Sequence, residues 1–419
     1  MKNSKSILFL SANDFKEKSI QVIRKTPEAF VAAGWKVTYI VVRDYSKAGN
    51  YYYEPEINPA GVNVIRIPMP LAKARGKAKS HLWRTILSQI AGLRAIKQLS
   101  REARKFLSEN KVDVFYGYEV HGVCAVKRYR FWHGIGKMKI ISRFQGTWMS
   151  SYIREKRWLK KWLNFDDVFA LKAKADLAIM TNDGTDGDFA MKKLRSKALH
   201  NLKFWVNGVD NLKMAAPEYQ DLNEKYNPDG IKLVLCSISR LESWKRVDRI
   251  LNTVKSLVHD KGFTNFVYLM IGEGGLKTEY EKFVKDHNLE EYIKIIGAVP
   301  NTEVKKYLNF ADVFLSTYDL SNVGNPLLEA IRCNKIIFTL NNGSTAEWVK
   351  HEENGFIYDI DEKLHQRIAE DIIRIADDEA LRQNIINGVQ KLEQDKLWTW
   401  KERMDAEVNA VEELLDNEN

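Results

Sequence analysis

Short apolar runs alternate with amphipathic stretches along most of this chain, and this alternation constrains the possible folds more than any other feature. In the first half, a helical pattern over residues 18–33 ends at Gly34, in the position of a left-handed helix cap. A second helical pattern, over residues 82–107, has apolar residues every three or four positions. The intervening apolar runs predict strands at residues 6–11, 36–42, 62–67, 112–116, 139–143 and 177–181.

The second half repeats this alternation, with a helical pattern after each strand, one of them near Ala346. Successive strand–helix–strand units form parallel sheets with helices on their faces, so the predicted fold is α/β with two Rossmann-like, doubly wound domains. We expect an N-terminal domain over residues 1–206 and a C-terminal domain over residues 207–396, with a helix within 397–419 packing back on the first. The strands predicted for the second half are residues 232–238, 266–271, 293–296, 313–316 and 336–339.

The length and the cysteines limit the class of protein. A chain of 419 residues suits two domains. Cys124, Cys236 and Cys333 lie far apart, in no spacing typical of a disulfide framework or a zinc site. No apolar run approaches the roughly 20 residues that span a bilayer, and the run after Lys5 is too short for the core of a signal peptide. We therefore expect a cytoplasmic protein.

Two cations follow the first predicted strand of the second half. Arg240 and Lys245 come directly after residues 232–238, at the sheet edge where open parallel sheets bind ligands. Two cations there can hold a diphosphate and neutralise it as a leaving group. The alternative is an exposed basic loop, since lysine and arginine are common on protein surfaces.

A helix start follows the strand predicted at residues 313–316. Pro326 suits the first helical turn, and Gly324 and Asn325 leave backbone N–H groups available for an anion. Glu329 lies about one turn further on, where a carboxylate can accept two hydrogen bonds from a ribose diol. The alternative for Glu329 is a favourable charge near the positive end of the helix dipole.

Six short segments occur in the order that is typical of one enzyme family. They are Asn207-Gly208-Val209-Asp210, Ser239-Arg240-Leu241 with Lys245, Ile271-Gly272-Glu273-Gly274, Pro326-Leu327-Leu328-Glu329-Ala330, Asn342-Gly343-Ser344-Thr345-Ala346-Glu347 and Glu353-Asn354-Gly355. Together they resemble the retaining glycosyltransferases of family 4. This family has the GT-B fold, in which two Rossmann-like domains face each other across a cleft. The resemblance is dense over residues 204–360 and thin before them.

The resemblance implies roles for these segments. Arg240 and Lys245 would grip the donor diphosphate, and Glu329 would bind the ribose. The amides of residues 325–328 would contact phosphate and sugar. His121 matches a histidine near the donor sugar, and its alternative is a histidine satisfied by backbone in a buried turn. The remaining donor-binding candidates are Asn325, Pro326, Leu327, Leu328, Gly272 and Gly274, and the acceptor-side candidates are Asn13, Gln145, Gly146 and Thr147.

Two positions depart from the family pattern. Counting back eight residues from Glu329 gives Ser321, where the family has the first Glu of a Glu-x7-Glu motif that contacts the donor sugar. Asp319, two residues earlier, substitutes for that Glu only if the loop is longer, and both residues remain donor-binding candidates. The loop after the first strand, residues 11–16, also lacks the paired glycines often found there.

Positive charge and tryptophan are concentrated in residues 71–163. This stretch holds 22 Lys/Arg against 5 Asp/Glu, and five of the eleven tryptophans of the chain. Within it, Trp158 and Trp162 would share a helix face beside leucines and lysines, a pattern typical of helices that lie on anionic membranes. The alternatives are that the tryptophans pack in the first domain, or that the stretch binds nucleic acid, for which no recognition motif is present. We expect no nucleic-acid partner, and a peripheral position on the inner face of the membrane.

These features predict a retaining glycosyltransferase. It would move a hexose-type sugar from a nucleoside-diphosphate sugar to a glycan or lipid-linked acceptor, in cell-surface polysaccharide or glycoconjugate synthesis. Arg240, Lys245 and the helix start near Pro326 can stabilise the leaving diphosphate by themselves, so we expect no metal and no cofactor. Two alternatives keep the fold: a sugar-nucleotide 2-epimerase, and a catalytically lapsed glycan-binding or scaffold protein, which Ser321 favours.

Overall fold

The chain divides into two compact units, each with its own parallel sheet. The computed structural model describes residues 4–16, 21–46, 55–77, 80–195 and 201–416. The first unit comprises Met1–Asn182, Asp186–Trp205 and Trp400–Asn419, and the second comprises Asp183–Thr185 and Val206–Thr399. The boundary expected at residue 206 falls beside Trp205, whereas nothing in the sequence assigns Asp183–Thr185 to the second unit.

The first unit alternates strands and helices in chain order. Its elements up to residue 205 are β1 (Ser6–Ser11), α1 (Gln21–Ala32), β2 (Lys36–Arg43), β3 (Asn63–Pro68), α2 (Ala72–Lys77), α3 (His81–Glu109), β4 (Val114–Tyr118), α4 (Glu119–His133), β5 (Lys139–Phe144), α5 (Met149–Arg154), α6 (Trp158–Leu163), α7 (Phe165–Leu171), β6 (Leu177–Thr181), α8 (Gly187–Arg195) and β7 (Leu202–Trp205). Within the described residues its strands form one parallel sheet in the order β3-β2-β1-β4-β5-β6-β7. Buried parallel strands have apolar side chains on both faces, which explains why the sequence locates β1 and β4–β6 to within two residues.

The second unit has the same architecture. Its elements are α9 (Gln220–Tyr226), β8 (Leu233–Ile238), α10 (Val247–Lys255), β9 (Phe266–Ile271), α11 (Lys277–Asp286), β10 (Ile293–Gly297), α12 (Asn301–Phe310), β11 (Val313–Ser316), α13 (Asn325–Arg332), β12 (Ile336–Leu340), β13 (Phe356–Tyr358), α14 (Leu364–Asp377) and α15 (Glu379–Lys396). Within the described residues the strands are parallel, in the order β10-β9-β8-β11-β12-β13. The order reverses between β8 and β11, so their carboxyl ends form the crevice where a doubly wound sheet binds ligands.

A last helix, α16 (Trp400–Asp416), belongs to the first unit. Its buried face packs in the same hydrophobic cluster as β1 and β4. Glu407 on this helix is buried, receives a hydrogen bond from the hydroxyl of Tyr116, and pairs with Arg403 Nη1 at 2.8 Å. Arg143 Nε of β5 lies 3.7 Å from the same carboxylate, so buried charges join α16 to the sheet.

The structure differs from the sequence-based elements at several places. The helix predicted near Ala346 is a single 3₁₀ turn, Thr345–Glu347, and the basic segment 148–163 contains two short helices, α5 and α6. The start of the helix predicted over residues 18–33 lies outside the described residues. Gly34 has φ of +85°, which confirms the left-handed cap after α1. Across the residues that the structure describes, no helix combines the length and apolarity needed to cross a bilayer.

Candidate functional site

The loop after β8 is held in place by the loop after β9. The backbone N–H of Ser239 donates to the carbonyl of Ile271 at 3.0 Å, and that of Leu241 donates to Glu273 at 3.0 Å. These bonds continue the β8–β9 ladder beyond the strands. They fix the backbone that carries Arg240 at the carboxyl edge of the sheet.

Gly272 and Gly274 permit this close approach of the two loops. A Cβ atom on Gly272 would lie 1.8 Å from the carbonyl oxygen of Ser239, and its φ of +143° suits glycine. A Cβ on Gly274 would lie 2.5 Å from the carbonyl oxygen of Leu241. The structure thus gives both glycines a role in positioning the Arg240 loop, whereas their expected contact with the donor stays a prediction.

Arg240 and Lys245 lie against the same indole ring. The guanidinium carbon of Arg240 is 5.7 Å from the ring centroid of Trp244, and Lys245 Nζ is 4.1 Å from it. Lys245 Nζ is also 3.7 Å from the ring centroid of Tyr318. These aromatic contacts are cation–π interactions, which stabilise a cation without neutralising it. The sequence-based reasoning did not identify Trp244 or Tyr318 as part of the site.

Neither cation has a carboxylate partner within 4 Å in the described part of the chain. Burial, and then the neighbouring Arg240, lower the pKa of Lys245 to about 7, against a smaller opposing effect of Asp183. A lysine in this state gains more from a bound anion than an exposed lysine does, because the anion restores the stability of its charged form. The alternative of a purely solvent-exposed basic loop therefore does not describe Lys245.

The segment between β11 and α13 is fixed by a buried asparagine. The side-chain oxygen of Asn322 accepts hydrogen bonds from Ser316 Oγ at 3.0 Å and from the backbone N–H of Tyr318 at 3.2 Å. Its amide nitrogen donates to the Tyr318 carbonyl at 2.9 Å and to Asn342 Oδ1 at 2.7 Å. This network holds the Tyr318 ring below Lys245 and sets the entry into α13.

The start of α13 is less open than the sequence indicates. The helix begins at Asn325 after Gly324, with Pro326 in its first turn as expected. The N–H groups of Leu327 and Leu328 both donate to the Gly324 carbonyl, at 3.0 and 3.2 Å. The expectation that all amides of residues 325–328 face a ligand is therefore corrected for Leu327 and Leu328, whose side chains are also buried in the core. Asn325 Oδ1 accepts a hydrogen bond from Asn207 Nδ2 at 2.8 Å.

Glu329 lies in the second turn of α13 and has no partner within the described part of the chain. Among the described residues its carboxylate makes no hydrogen bond and no ion pair, and burial raises its pKa to about 7. Glu329 is only half-buried, and a partly desolvated carboxyl group without protein donors gains from hydrogen bonds that a ligand supplies. This environment is consistent with a carboxyl group that binds hydroxyls of a ligand. It is less consistent with a carboxylate that is present only because the positive end of the helix dipole stabilises its charge.

Ser321, at the position of the missing carboxylate, and Asp319, its possible substitute, differ in their surroundings. The carboxylate of Asp319 is partly exposed and pairs with Arg249 Nη2 at 2.8 Å and Arg246 Nη1 at 3.4 Å, so its charge is already compensated. Ser321 donates from Oγ to Asp183 Oδ2 at 3.0 Å. Asp183 directly follows the carboxyl end region of β6, and the strand-end rule that selected Arg240 would have pointed to it as well.

The candidates in the first unit lie at the carboxyl ends of β1, β4 and β5. His121 is in the first turn of α4, with Nε2 at 3.8 Å from Asp166 Oδ2 of α7 and its ring against Gly92 of α3. Burial lowers the pKa of His121, and Asp166 opposes this. Among the described residues, the ring of His121 has no backbone hydrogen-bond partner, which the alternative of a histidine satisfied by backbone requires. A place beside the donor sugar stays a prediction.

The acceptor-side candidates form parts of two loops. The Gln145 N–H donates to Glu119 Oε1 at 2.8 Å, and its side-chain amide contacts the hydroxyl of Tyr118. Thr147 Oγ1 is buried and accepts from the N–H of Met149 at 3.1 Å, while the intervening Gly146 has φ of +140°. Asn13 is exposed, and its N–H donates to Ser11 Oγ at 2.9 Å.

Two Asp-x-Asp triplets occur in the chain, and both are engaged in protein contacts. In the first, Asp186 pairs with Arg154 at 2.7 Å and Asp188 with Lys192 at 2.7 Å. In the second, Asp361 pairs with Arg367 at 2.8 Å. Over the described ranges, no three His, Cys, Asp or Glu side chains group in a way that could hold a metal ion.

Comparison with known proteins relates these features to a class of enzyme. Residues 218–392, within the second unit, match the family described as Glycosyl transferases group 1. The amylovoran biosynthesis glycosyltransferase AmsK of Erwinia amylovora is 26% identical over 154 residues, which cover 35% of this chain and 37% of AmsK. The alpha-monoglucosyldiacylglycerol synthase of Acholeplasma laidlawii is 24% identical over 147 residues, which cover 35% of this chain and 36% of that protein. The matches thus span little more than a third of either relative.

Solved structures match almost the whole chain. Sucrose-phosphate synthase from Thermosynechococcus elongatus has a TM-score of 0.73 at 15% identity, covering 99% of this chain and 100% of that one. Anabaena Alr3699/HepE in complex with UDP has a TM-score of 0.70 at 15% identity, covering 97% of this chain and 99% of that one. The same protein in complex with UDP-glucose has a TM-score of 0.67, at 15% identity and the same coverages. The fold is GT-B, with a glycosyltransferase group 1 match in its second unit.

Proposed function

We propose that this protein is a retaining glycosyltransferase that transfers a hexose from a nucleoside-diphosphate sugar to a glycan or lipid-linked acceptor. One observation carries the proposal: Arg240 and Lys245 share the Trp244 ring at the carboxyl edge of the second sheet, without carboxylate partners in the described residues. Two uncompensated cations at such an edge fit a diphosphate. UDP is the first nucleotide to test, since HepE is solved with UDP.

The proposed reaction has two parts, departure of the leaving group and attack by the acceptor. The bond between the anomeric carbon and the phosphate oxygen breaks, and its electron pair leaves with the nucleoside diphosphate. Arg240 and protonated Lys245 stabilise the negative charge that grows on the phosphate oxygens, without reorganising at the moment of reaction. The acceptor hydroxyl attacks the same face of the sugar and passes its proton to the leaving phosphate oxygen. The configuration is thereby retained, and neither a protein nucleophile nor a metal ion is needed.

We assign the acceptor site to the first unit. We also assign a membrane-binding surface to this unit. The tryptophans and leucines of α6 are exposed, with Trp158 at 75% and Trp162 at 69% of their full accessibility. Packing of these tryptophans in the first domain, the alternative at the sequence level, is therefore excluded. A groove of about 840 Å³ between α4 and α7 is lined by Lys127, Arg128 and Trp132, among other cations and aromatic rings. An acceptor attached to an anionic membrane fits this surface.

Nucleotide binding tests the donor site directly. Calorimetric titration of the full chain with UDP, GDP and ADP should show binding of at least one nucleotide. Lys245→Met and Arg240→Met should each weaken that binding by about tenfold or more, because hydrogen bonds to charged groups contribute about 1.5–3 kcal/mol. Lys282→Met removes an exposed lysine of α11 and serves as the matched control. Nucleotide affinities that do not differ among the three variants would remove the donor site.

Turnover separates transfer from the two alternative functions. Incubation with the bound sugar nucleotide and membrane extract should yield a product with the anomeric configuration of the donor, as read by NMR, in buffer with EDTA as well as without it. Inversion at C2 of the donor sugar without acceptor would instead identify an epimerase. Nucleotide-sugar binding without any turnover would favour a binding or scaffold protein.

A further inference from the structure

A half-buried carboxylate from the first half of the chain contacts the segment between β11 and α13 of the second unit. Asp183 Oδ2 accepts a hydrogen bond from Ser321 Oγ at 3.0 Å, although the two residues are 138 positions apart. Asp183 Oδ1 accepts from Thr185 Oγ1 at 2.6 Å and from the Thr185 N–H at 3.1 Å. The carboxylate is therefore oriented by donors on both oxygens. The reaction as proposed above does not use it.

The backbone of this segment is fixed as firmly as its side chain. The carbonyl of Asp183 accepts a hydrogen bond from the N–H of Val323 at 3.1 Å. Gly184 has φ of +89°, and a Cβ atom on it would lie 2.9 Å from that same nitrogen. The segment thus packs backbone to backbone on the residues that lead into α13. A larger residue at position 184 cannot be accommodated without moving this loop.

The carboxylate retains capacity for one more donor. An ionised carboxylate offers about four lone-pair sites, of which the contacts with Thr185 and Ser321 occupy three. The remaining site is on Oδ2, the oxygen that faces Ser321. No Lys or Arg side chain in the described residues pairs with Asp183 within 4 Å. Lys245 Nζ lies 3.7 Å from the ring centroid of Tyr318, three residues before Ser321, so Asp183 and Lys245 contact the same loop.

We propose that Asp183 binds a hydroxyl group of the donor hexose, with Ser321 as the residue that positions its carboxylate. The inference rests on the proposed function, because it needs a sugar on the diphosphate held by Arg240 and Lys245. A sugar attached to that diphosphate lies next to the loop that carries Ser321. The carboxylate that the sequence lacks at position 321 is then supplied from position 183, across one hydrogen bond.

The surroundings of Asp183 make its expected contact specific for a donor that carries hydroxyl groups. Burial raises the pKa of Asp183, and the hydrogen bonds from Thr185 and Ser321 oppose this shift. A further hydrogen bond from a sugar hydroxyl stabilises the charged form in the same way. A nucleoside diphosphate without sugar cannot supply that bond at this place. Loss of the carboxylate should therefore affect the sugar nucleotide and not the bare nucleotide.

The test compares affinities for UDP and for UDP-sugars in the full chain. UDP, UDP-glucose, UDP-galactose and UDP-N-acetylglucosamine are titrated by calorimetry, and the UDP-sugar that the wild type binds most tightly is used for all variants. For Asp183→Asn, the ratio of the Kd for this UDP-sugar to the Kd for UDP should rise about tenfold, since a charge-assisted hydrogen bond is lost. The Kd for UDP itself should stay within about twofold or improve, because a negative charge next to the diphosphate is removed.

Further variants separate sugar binding from a structural role. Asp221→Asn removes an exposed, ion-paired carboxylate of α9 in the same unit and should leave the ratio unchanged. The double variant Asp183→Ser with Ser321→Asp exchanges the two ends of the hydrogen bond and should restore the ratio to within about threefold of wild type. Aspartate tolerates the positive φ of +63° at position 321 better than most residues. Ser321→Ala, which keeps Asp183, should raise the ratio by about threefold.

The outcomes distinguish failure of the inference from failure of the proposed function. If the wild type binds UDP-sugars and Asp183→Asn raises both Kd values together, Asp183 is only a structural contact of the loop, and the inference fails while the proposed function stands. A ratio of Kd values that is unchanged in Asp183→Asn would also refute the inference and leave the proposed function in place. If Asp183→Asn does not fold, the ratio in Ser321→Ala and in the double variant decides. A wild type that binds none of the four ligands, nor GDP or ADP, removes both proposals.

Discussion

At the scale of single residues, Lys245 has the environment expected of a site that is formed before its ligand binds. Its ammonium group lies between the rings of Trp244 and Tyr318, and no carboxylate in the described residues neutralises it. Most buried lysines are paired, because an isolated buried charge is unfavourable. The lowered pKa of Lys245 reflects this unfavourable free energy. A bound diphosphate would pair with the ammonium group and stabilise its charged form. The residue is thus adapted to the ligand-bound state rather than to the empty one.

This environment predicts a pH dependence of nucleotide binding. The pKa of Lys245 is lowered by burial, then by Arg240, to about 7. The protonated form binds the diphosphate, so the affinity is highest below pH 7 and declines as the pH rises above 7, by at most about tenfold per pH unit. Titration of UDP between about pH 6.5 and 9 should show this decline. Lys245→Arg, whose guanidinium stays charged over this range, should show a flat profile. An equally flat profile for the wild type would contradict the assignment.

Asp183 illustrates what sequence reasoning misses at the same scale. Arg240, Lys245 and Glu329 could be proposed from the sequence because each follows a recognisable strand within one half of the chain, and their roles stay predictions. Asp183 follows β6 along the chain, yet it belongs to the second unit, where its side chain contacts Ser321. Nothing in the local pattern around either residue indicates that pairing. Contacts between segments far apart in sequence depend on the packing of whole elements, which local patterns do not determine.

At the scale of elements, the loops after β8 and β9 act as one structural piece. Their backbones are hydrogen-bonded beyond the ends of the strands, and the absence of side chains at Gly272 and Gly274 makes this possible. The position of Arg240 is consequently set by a neighbouring loop that need not contact the ligand. Mutations in that loop should affect binding through the backbone alone.

Adjacent glycines in this loop provide a matched pair of variants. Gly274→Ala places a Cβ atom 2.5 Å from the Leu241 carbonyl oxygen, whereas Gly275→Ala meets no atom within 4 Å, and neither glycine has positive φ. Gly274→Ala should lower the free energy of unfolding by about 1–3 kcal/mol and weaken UDP binding, because the Arg240 loop must move. Gly275→Ala should stay within about 0.5 kcal/mol of wild type. Denaturant unfolding and calorimetry would measure both, and equal effects of the two substitutions would refute the explanation.

The elements that the sequence predicts well share one physical property. Strands such as β1, β6, β9 and β11 are buried on both faces, so their apolar runs are continuous and easy to delimit. The strands that were not predicted, β7 and β13, have only four and three residues, and every residue of β7 is partly exposed. Their register depends on pairing with β6 and β12, respectively, and not on their own composition. Short edge strands of this kind carry little signal of their own.

At the scale of the whole molecule, basic and aromatic side chains are concentrated on the surface of the first unit. The exposed residues include Trp83, Trp132, Trp148, Trp158 and Trp162. Lys79 of the basic stretch lies outside the described residues. Exposed tryptophans beside many cations are typical of proteins that bind membrane interfaces, since the rings insert while the cations approach anionic headgroups. The second unit carries far less of this character, with Ile231 and Ile360 as its large exposed apolar side chains among the described residues.

This asymmetry predicts binding to anionic vesicles through the first unit. The full chain should co-sediment with phosphatidylglycerol-containing vesicles at low salt, and less so with neutral ones. Lys160→Gln with Lys161→Gln should weaken the binding by up to about tenfold, since each charge contributes about 1 kcal/mol near an anionic surface. Lys282→Gln with Lys285→Gln, two exposed lysines of α11 in the second unit, should have little effect. Lack of vesicle binding by the wild type at low salt would remove the membrane from the proposed function.

The position of α16 has a consequence for how this protein reaches its native state. Residues 400–416 supply Glu407, the buried counter-charge of Arg143, while β5 with Arg143 is synthesised long before them. The first unit, which includes β5 and Arg143, therefore cannot be complete until residues that follow the second unit along the chain have been synthesised. Folding of the first unit thus depends on a segment that is made after every element of the second unit.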